Sequence, residues 1–375
     1  MAVIKRVRLS EIAELVTKGT TPTTLGYEFQ DTGVNFLKIE CFSEKGDYIQ
    51  NKATHISEEC HEKLKRSQLK EGDILFSIAG VIGRVAIVTR NMLPANINQA
   101  LAIIRIKKDD IYLPYVKLIL TSPLIKKQFE RKKQGVAQLN ISLKDINDLE
   151  IPLPEIGKQI EYANSFKKVE KLIYTRQYQL QKLDELVKAR FVEMFGDCKS
   201  RVSMNELCSI ITDGTHQPPR FQESGIPFIF VSNLVGNVVT YNAEKFISED
   251  TYAELYKRTP IEIGDLLLST VGSYGHPAVV TEDRKFLFQR HIAYLKPRHN
   301  MVNSFYLHSA LLAPDGQRQI EEKVKGIAQK TLNLSEIKKI VVPLPTIEEQ
   351  NQFEKFVNQT DKSKAVEGLY SSLCL

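Results

Sequence analysis

The 375-residue sequence is poor in cysteine, in unbroken apolar runs and in the motifs of common catalysts, and each shortage removes a class of function. Its five cysteines, Cys41, Cys60, Cys198, Cys208 and Cys374, are scattered, odd in number and form no Cys-x-x-Cys pair. That argues against a disulfide framework or a thiolate zinc site and suits reduced thiols in the cytoplasm. The most apolar stretch, Ile74 to Val88, is interrupted by Ser77, Arg84 and two glycines, so no membrane span is expected. The opening MAVIKRVRLS puts Lys5, Arg6 and Arg8 where a signal peptide needs apolar side chains, and secretion is not expected. Seven histidines show no metal-ligand spacing; His55 and His61 lie near Cys60 but lack a further ligand, and neither metal nor cofactor is expected. No Walker loop is present, and the single Pro-Pro, in Gln217-Pro-Pro-Arg220, is not the Asn/Asp-Pro-Pro-Tyr/Phe motif of adenine methylation. Pro314-Asp315 with Glu321-Glu322-Lys323 has a nuclease-like spacing, but in a polar, helix-like stretch. An excess of charge is missing too: a net +6 permits a polyanionic partner without demanding one.

What is present is a long charged stretch, Pro154 to Gly196, with a pattern before it that recurs after it. Positions spaced alternately three and four apart read Phe166, Val169, Ile173, Arg176, Leu180, Leu183, Val187, Arg190 and Met194. Most are apolar, the residues between them are mostly polar, and no proline or glycine intervenes after Gly157. The spacing predicts one helix with a coiled-coil seam, about 57 Å long over about 38 residues. Such a rod cannot bury its seam alone and needs a second helix.

Laying the second half on the first at an offset of about 192 residues gives ordered matches. LSEIAELVTKGTTP from Leu9 matches MNELCSIITDGTHQPP from Met204, and GVNFLKI from Gly33 matches GIPFIFV from Gly225. GDILFSIAGVIGRVAIV from Gly72 matches GDLLLSTVGSYGHPAVV from Gly264, and NQALAII from Asn98 parallels FQRHIAYL from Phe288. GVAQLNISLKDINDLEIPLPEIGKQ from Gly135 matches GIAQKTLNLSEIKKIVVPLPTIEEQ from Gly326 without a gap. The chain is a duplicated unit, a domain followed by a helix.

Within a unit, Leu9, Ile12, Leu15 and Val16 fall on one face of a short helix, with Ser10, or Asn205 in the second copy, able to cap it. Ile74-Leu75-Phe76 and Val85 to Val88 bracket Gly80 and Gly83 as strand, turn, strand, and Leu101 to Ile106 alternates as another strand. Tyr112 to Lys132 reads as helix on either side of Pro123. The Ser-x-x-Gly-x-x-Gly turns are a weak phosphate-binding signal, since no helix follows them. Pro-Leu-Pro exits at Pro152 and Pro343 end each domain. The helix after the second exit carries a Thr346-x-x-Glu349 capping box, an apolar spacing of Ile347, Phe353 and Val357, and fewer residues than the first. The expected fold is α+β: two globular domains related by a pseudo-twofold, 1–154 and 198–345, separated by two long helices, 155–197 and a short distal 346–375, packed as an antiparallel coiled coil.

Paired readers on a rigid spacer suit double-stranded DNA with a bipartite site. Candidate base-reading residues are Lys18, Thr20, Thr21, Arg84, Gln138 and Asn140 in the first domain and Thr215, His216, Arg220, His276, Gln329 and Thr331 in the second. Lys126, Lys127, Arg131, Lys132 and Lys133 form a cluster suited to phosphates. The repeated Gly-Asp-Ile/Leu-Leu strand, the Asp213-Gly214-Thr215-His216 loop, the Pro-Leu-Pro exits and a long helix ending Phe191-Val-Glu-Met-Phe-Gly196 together resemble the specificity subunit of type I restriction-modification systems, over essentially the whole chain. The resemblance implies two target recognition domains, each reading half of a split sequence, and helices that space them and dock two methyltransferase subunits. It also implies that catalysis belongs to those partners and to the motor-nuclease subunits. A stand-alone DNA methyltransferase or nuclease with unrecognised motifs is the alternative. The first copy departs from the second at its loop, Lys18-Gly19-Thr20-Thr21 against Asp-Gly-Thr-His, as readers of different sequences would.

Overall fold

The computed structural model describes residues 4–107, 110–130, 140–326 and 329–372, with the side chains of 364–372 left aside. It divides into two compact units, with the boundary between Leu172 and Ile173. Unit 1 contains β1 (Arg6–Arg8), α1 (Leu9–Ile12), β2 (Ala13–Lys18), β3 (Val34–Leu37), β4 (Thr54–Ile56) and α2 (Glu58–Lys63). It continues with β5 (Ile74–Ser77), β6 (Val85–Ile87), β7 (Ala95–Ile97), β8 (Leu101–Ile106), α3 (Leu113–Leu120), α4 (Pro123–Glu130), α5 (Leu143–Asn147) and β9 (Glu150–Pro152). The helix α6 (Ile156–Phe195) runs on into unit 2. Unit 2 then has β10 (Arg201–Ser203), α7 (Met204–Leu207), β11 (Cys208–Asp213), β12 (Ile226–Ile229), β13 (Lys245–Ile247) and α8 (Glu249–Tyr256). It closes with β14 (Leu266–Ser269), β15 (Pro277–Val279), β16 (Leu287–Phe288), β17 (Ile292–Pro297), α9 (Ser304–Leu312), α10 (Pro314–Lys323), α11 (Leu334–Ile337), β18 (Val341–Pro343) and α12 (Ile347–Ser372).

The sheets repeat strand for strand. Unit 1 has an antiparallel sheet in the order β2-β8-β5-β6, a second sheet β4-β3-β7 and a ribbon β1-β9; unit 2 has β11-β17-β14-β15, β13-β12-β16 and β10-β18. In both copies the smaller sheet holds one parallel pair, β3 with β7 and β12 with β16. Side chains alternate across a strand. Hence Ile74 and Phe76 of β5 enter the core under α3 and α4, while Leu75 enters the core on the opposite face. Leu266 and Leu268 part from Leu267 in the same way on β14. A strand covered on both sides needs apolar residues at every position, which is why these runs read as unbroken apolar segments.

The aspartate of the Gly-Asp strand entry closes the same corner twice. In unit 1, Asp73 takes both Nε and a terminal nitrogen of Arg105 at 2.7 Å. In unit 2, Asp265 accepts from the Tyr294 hydroxyl at 2.8 Å with Lys296 at 3.4 Å, and burial pushes its carboxyl above the usual range.

Two expectations need correcting near each start. The helix is a single turn, and Ala13 to Lys18 is a strand paired with β8, so Leu15 and Val16 lie in the sheet. Ser10 and Asn205 lie inside their turns; the orphan N–H groups of Arg8 and Ser203 are taken by the carboxylates of Glu11 (2.8 Å) and Glu206 (3.2 Å).

The 40 residues of α6 span about 60 Å. Ile173, Arg176, Leu180, Leu183, Val187, Arg190 and Met194 are partly buried and Phe191 and Phe195 fully so, with the positions around them exposed. Phe166 and Val169 are exposed, at 56% and 38%, contrary to the expected seam. The partner in unit 2 is α12, whose buried stripe is Gln350, Phe353, Val357 and Thr360. Phe353 lies 5.5 Å from Phe191 and 5.6 Å from Phe195, and the next turn brings Phe356 beneath Arg190. As α12 advances its contacts retreat along α6, so the two helices run antiparallel there. Tyr306 of α9 completes a four-ring cluster, 5.4 Å from Phe191 and 5.1 Å from Phe195.

Candidate nucleic-acid interface

Each unit gathers four segments at one end of its four-stranded sheet, where β2 and β5 finish beside the start of β8. In unit 1 these are the segment after β2, the turn between β5 and β6, the link from β7 to β8, and Asn140 with Ile141. Backbone hydrogen bonds tie them: Gly19 donates to the Leu101 carbonyl (3.3 Å), Ile78 to Ala100 (2.8 Å) and Ile141 to Ile78 (3.0 Å). Unit 2 repeats the ties, Gly214 to Ile292 (3.1 Å), Thr270 to His291 (2.9 Å) and Leu332 to Thr270 (2.8 Å). The glycines are there for space. A Cβ at Gly19 would stand 1.9 Å from the Ile97 carbonyl oxygen, and one at Gly214 2.2 Å from that of Phe288.

The turns close on themselves. The hydroxyl of Ser77 accepts the Arg84 N–H at 2.8 Å, and that of Ser269 accepts the His276 N–H at 3.0 Å. Those hydroxyls are therefore engaged in the turn, which weakens the phosphate reading of the Ser-x-x-Gly-x-x-Gly signal.

Of the candidates, Lys18 and Asn140 are exposed, and Thr20 and Thr21 are half-buried, with the Thr21 hydroxyl bonded to the Gln99 side chain. His216 and Arg220 are exposed; His216 pairs with Asp213 at 2.8 Å, and Arg258 holds the other oxygen of Asp213 at 2.8 Å. Thr215 is fastened by its N–H to the Phe288 carbonyl at 3.0 Å. Gln329 and Thr331 line a polar recess of about 260 Å³ with Asp213, Thr270, Arg290 and His291. Burial, then the adjacent Arg290 charge, hold His291 below the ordinary imidazole range. It is therefore a neutral ring near pH 7, offering one donor and one acceptor.

Arg84 and His276 are placed differently. The Arg84 guanidinium donates to the carbonyls of Ile39 (3.2 Å) and Phe42 (2.8 Å), and His276 meets the Asn237 side chain at 3.1 Å. Both tie the sheet turn to a neighbouring loop. Lys126 and Lys127 are exposed on α4, whose opposite side buries Ile125 and Phe129. Lys127 shares a shallow depression with Arg6, Arg8 and Lys144, where Asp148 and Glu150 offset part of the charge. Gln138, Arg131, Lys132 and Lys133 lie outside the described residues.

Sequence reasoning passed over Gln99, Arg290 and His291. They stand in the repeated link between two apolar strands, NQALAII and FQRHIAYL, and a polar insertion at a matched strand edge was the available signal. Asp315, of the nuclease-like spacing, is ion-paired to Arg201 (2.8 Å) and Arg318 (2.5 Å) on α10. Among the described residues no group of three or more His, Cys, Asp or Glu could hold a metal ion, and no helix is long and apolar enough to cross a membrane.

Two copies of one mixed domain, each offering polar side chains from loops pinned to a rigid sheet, define a duplicated recognition module. A family model described as "Type I restriction modification DNA specificity domain" matches residues 3–185 and again 202–368, and the chain belongs to that family. The type I restriction enzyme EcoBI specificity subunit of Escherichia coli is 33% identical over 146 residues, 39% of this chain and 31% of that one. The type I restriction enzyme MjaVIII specificity subunit of Methanocaldococcus jannaschii is 21% identical over 276 residues, 68% of this chain and 64% of its own. The alignments thus span less than two thirds of either relative. A chain solved in work on complex assembly and conformational transition of the type I R-M system matches with a TM-score of 0.64 at 18% identity, covering 99% of this chain and 94% of the other. The type I restriction-modification S subunit from M. genitalium matches with a TM-score of 0.52 at 13% identity, over 99% and 92%. At those identities the likeness is one of fold.

Proposed function

We propose that this chain is the sequence-reading subunit of a type I restriction-modification assembly in the cytoplasm. Each unit reads one half of a bipartite duplex through the loops at the end of its four-stranded sheet. Residues 155–197 and 346–375 set the separation of the half-sites and dock two methyltransferase subunits, and motor-nuclease subunits join through the complex. The chain itself is non-catalytic, binds no cofactor, and leaves methylation and cleavage to those partners.

One observation carries the reading: three backbone ties under the loop clusters recur in both units, while the side chains on them differ. Lys18, Gln99 and Asn140 stand where the second unit has Asp213, Arg290 and Thr331. A constant frame with changed donors and acceptors is what two readers of different short words require. Exposed Lys126 and Lys127 supply phosphate contact. Arg84 and His276 act as ties that hold the reading loops.

Selection from random duplexes, with the chain co-purified with its methyltransferase subunits, tests this. Two fixed words separated by a constant gap should be enriched, with affinity falling steeply as salt rises. Gln329→Ala with Thr331→Ala should relax only one word, by about 1–3 kcal/mol per lost base contact. Enrichment of a single continuous word, or of none, would reject the proposal.

A further inference from the structure

With the loops of unit 2 facing duplex DNA, the function on which this rests, we propose that Arg258, on the turn after α8, is a positioning residue: through Asp213 it holds His216 in the attitude that decides one base of that unit's word. Asp213 closes β11, and its two oxygens are engaged by different partners. Oδ2 meets Nε2 of His216 and Oδ1 meets a terminal nitrogen of Arg258, each at 2.8 Å. The Asp213 side chain is 17% exposed, that of His216 52% and that of Arg258 53%. The acid is covered and the imidazole open, so the ring and not the carboxylate is the group that a base edge can reach. With Nε2–H given to Asp213, the neutral ring keeps an acceptor at Nδ1, which has no partner among the described residues. That atom suits an exocyclic amine, adenine N6 or cytosine N4. A lone carboxylate would repel the phosphates beside it; the guanidinium cancels its charge.

Unit 1 separates this role from a structural one. Lys18 closes β2 opposite Ala102 as Asp213 closes β11 opposite Ala293, and a glycine follows each. Lys65-Arg66-Ser67 precedes Gly72-Asp73 at the spacing at which Lys257-Arg258-Thr259 precedes Gly264-Asp265, and Ser67 and Thr259 are both buried. The arginine is therefore present in both units and its acid in one. Arg66 is exposed and, like Lys18, has no ion pair among the described residues. Since the turn forms without the pair, Asp213 with Arg258 is not needed to build it. What the pair holds in unit 2 is His216, where unit 1 has Thr21.

Selection from random duplexes by the chain assembled with its methyltransferase subunits, then competition among single-base variants of the enriched site, tests this. Arg258→Ala and His216→Ala should relax the same position of the same word, by about tenfold or more, and the double variant should be no worse than His216→Ala alone. Arg258→Lys, which still offers Asp213 a cation, should keep most of the preference; circular dichroism of each variant verifies the fold. A guanidinium that only binds phosphate gives another pattern: with Arg258→Ala, affinity falls equally for every sequence and the salt slope drops by about one. That pattern would overturn the proposal, and so would a position relaxed by one single variant and kept by the other, or no change at any position. A wild-type assembly that enriches no word would instead reject the function itself, and the proposal with it.

Discussion

Gly214 sits where the loop after β11 crosses the link before β17, and the distance to the Phe288 carbonyl oxygen leaves no room for a methyl group. Gly214→Ala should shift the loop that carries Thr215 and His216, costing about 1–3 kcal/mol of stability as overpacking does. Reading of one half-site should be lost while the other persists, which footprinting on a two-word site would register. His291 makes a second residue-scale prediction. Its folded value lies below the unfolded one, so the stability it supports is present above about pH 6.5 and lost as pH falls through its lowered folded value. The difference in unfolding midpoint between wild type and His291→Asn should therefore narrow or reverse in acid; a constant difference would show that the ring does not titrate as described. The chemistry of Lys18, Asn140, Gln329 and Thr331 is legible from side-chain type and repeat position. The commitments of Arg84 and His276 are not, because a guanidinium bound to backbone carbonyls and one facing solvent look alike in a sequence.

Helix α6 holds its unit 2 end through rings more than through charge. Its ion pairs, such as Lys182 with Glu185 at 2.6 Å, are exposed and add little. The contacts of Phe191 and Phe195 with Tyr306 and Phe353 lie inside the core. Phe195→Ala should cost unit 2 about 3–5 kcal/mol. Calorimetry should find its transition lowered and that of unit 1 nearly unmoved. The seam from Ile173 to Met194 is readable from spacing alone, since a 3-4 repeat fixes which residues share a face. Spacing cannot say where the covering helix stops, and Phe166 and Val169 share the pattern while standing in the open. The first turn of each domain misleads for a related reason: Leu9 and Ile12 suit a helix, while Leu15 and Val16 belong to a strand whose register is set by β8, ninety residues away.

At the scale of the molecule, duplication is the most legible feature, because ordered matches survive where single propensities fail. The same sheet orders appear in both halves. The candidate contact surface is not legible in the sequence, since it depends on how four loops from distant parts of a domain meet. The central claim, that α6 and α12 act as the ruler between two readers, is open to one direct measurement. Inserting one heptad into each helix, in seam register, lengthens the spacer by about 10 Å, or about three base-pair steps. Duplex selection on that variant, assembled with its methyltransferase partners, should return the same two words with a gap about three base pairs longer. The same two words at the original gap would contradict the claim.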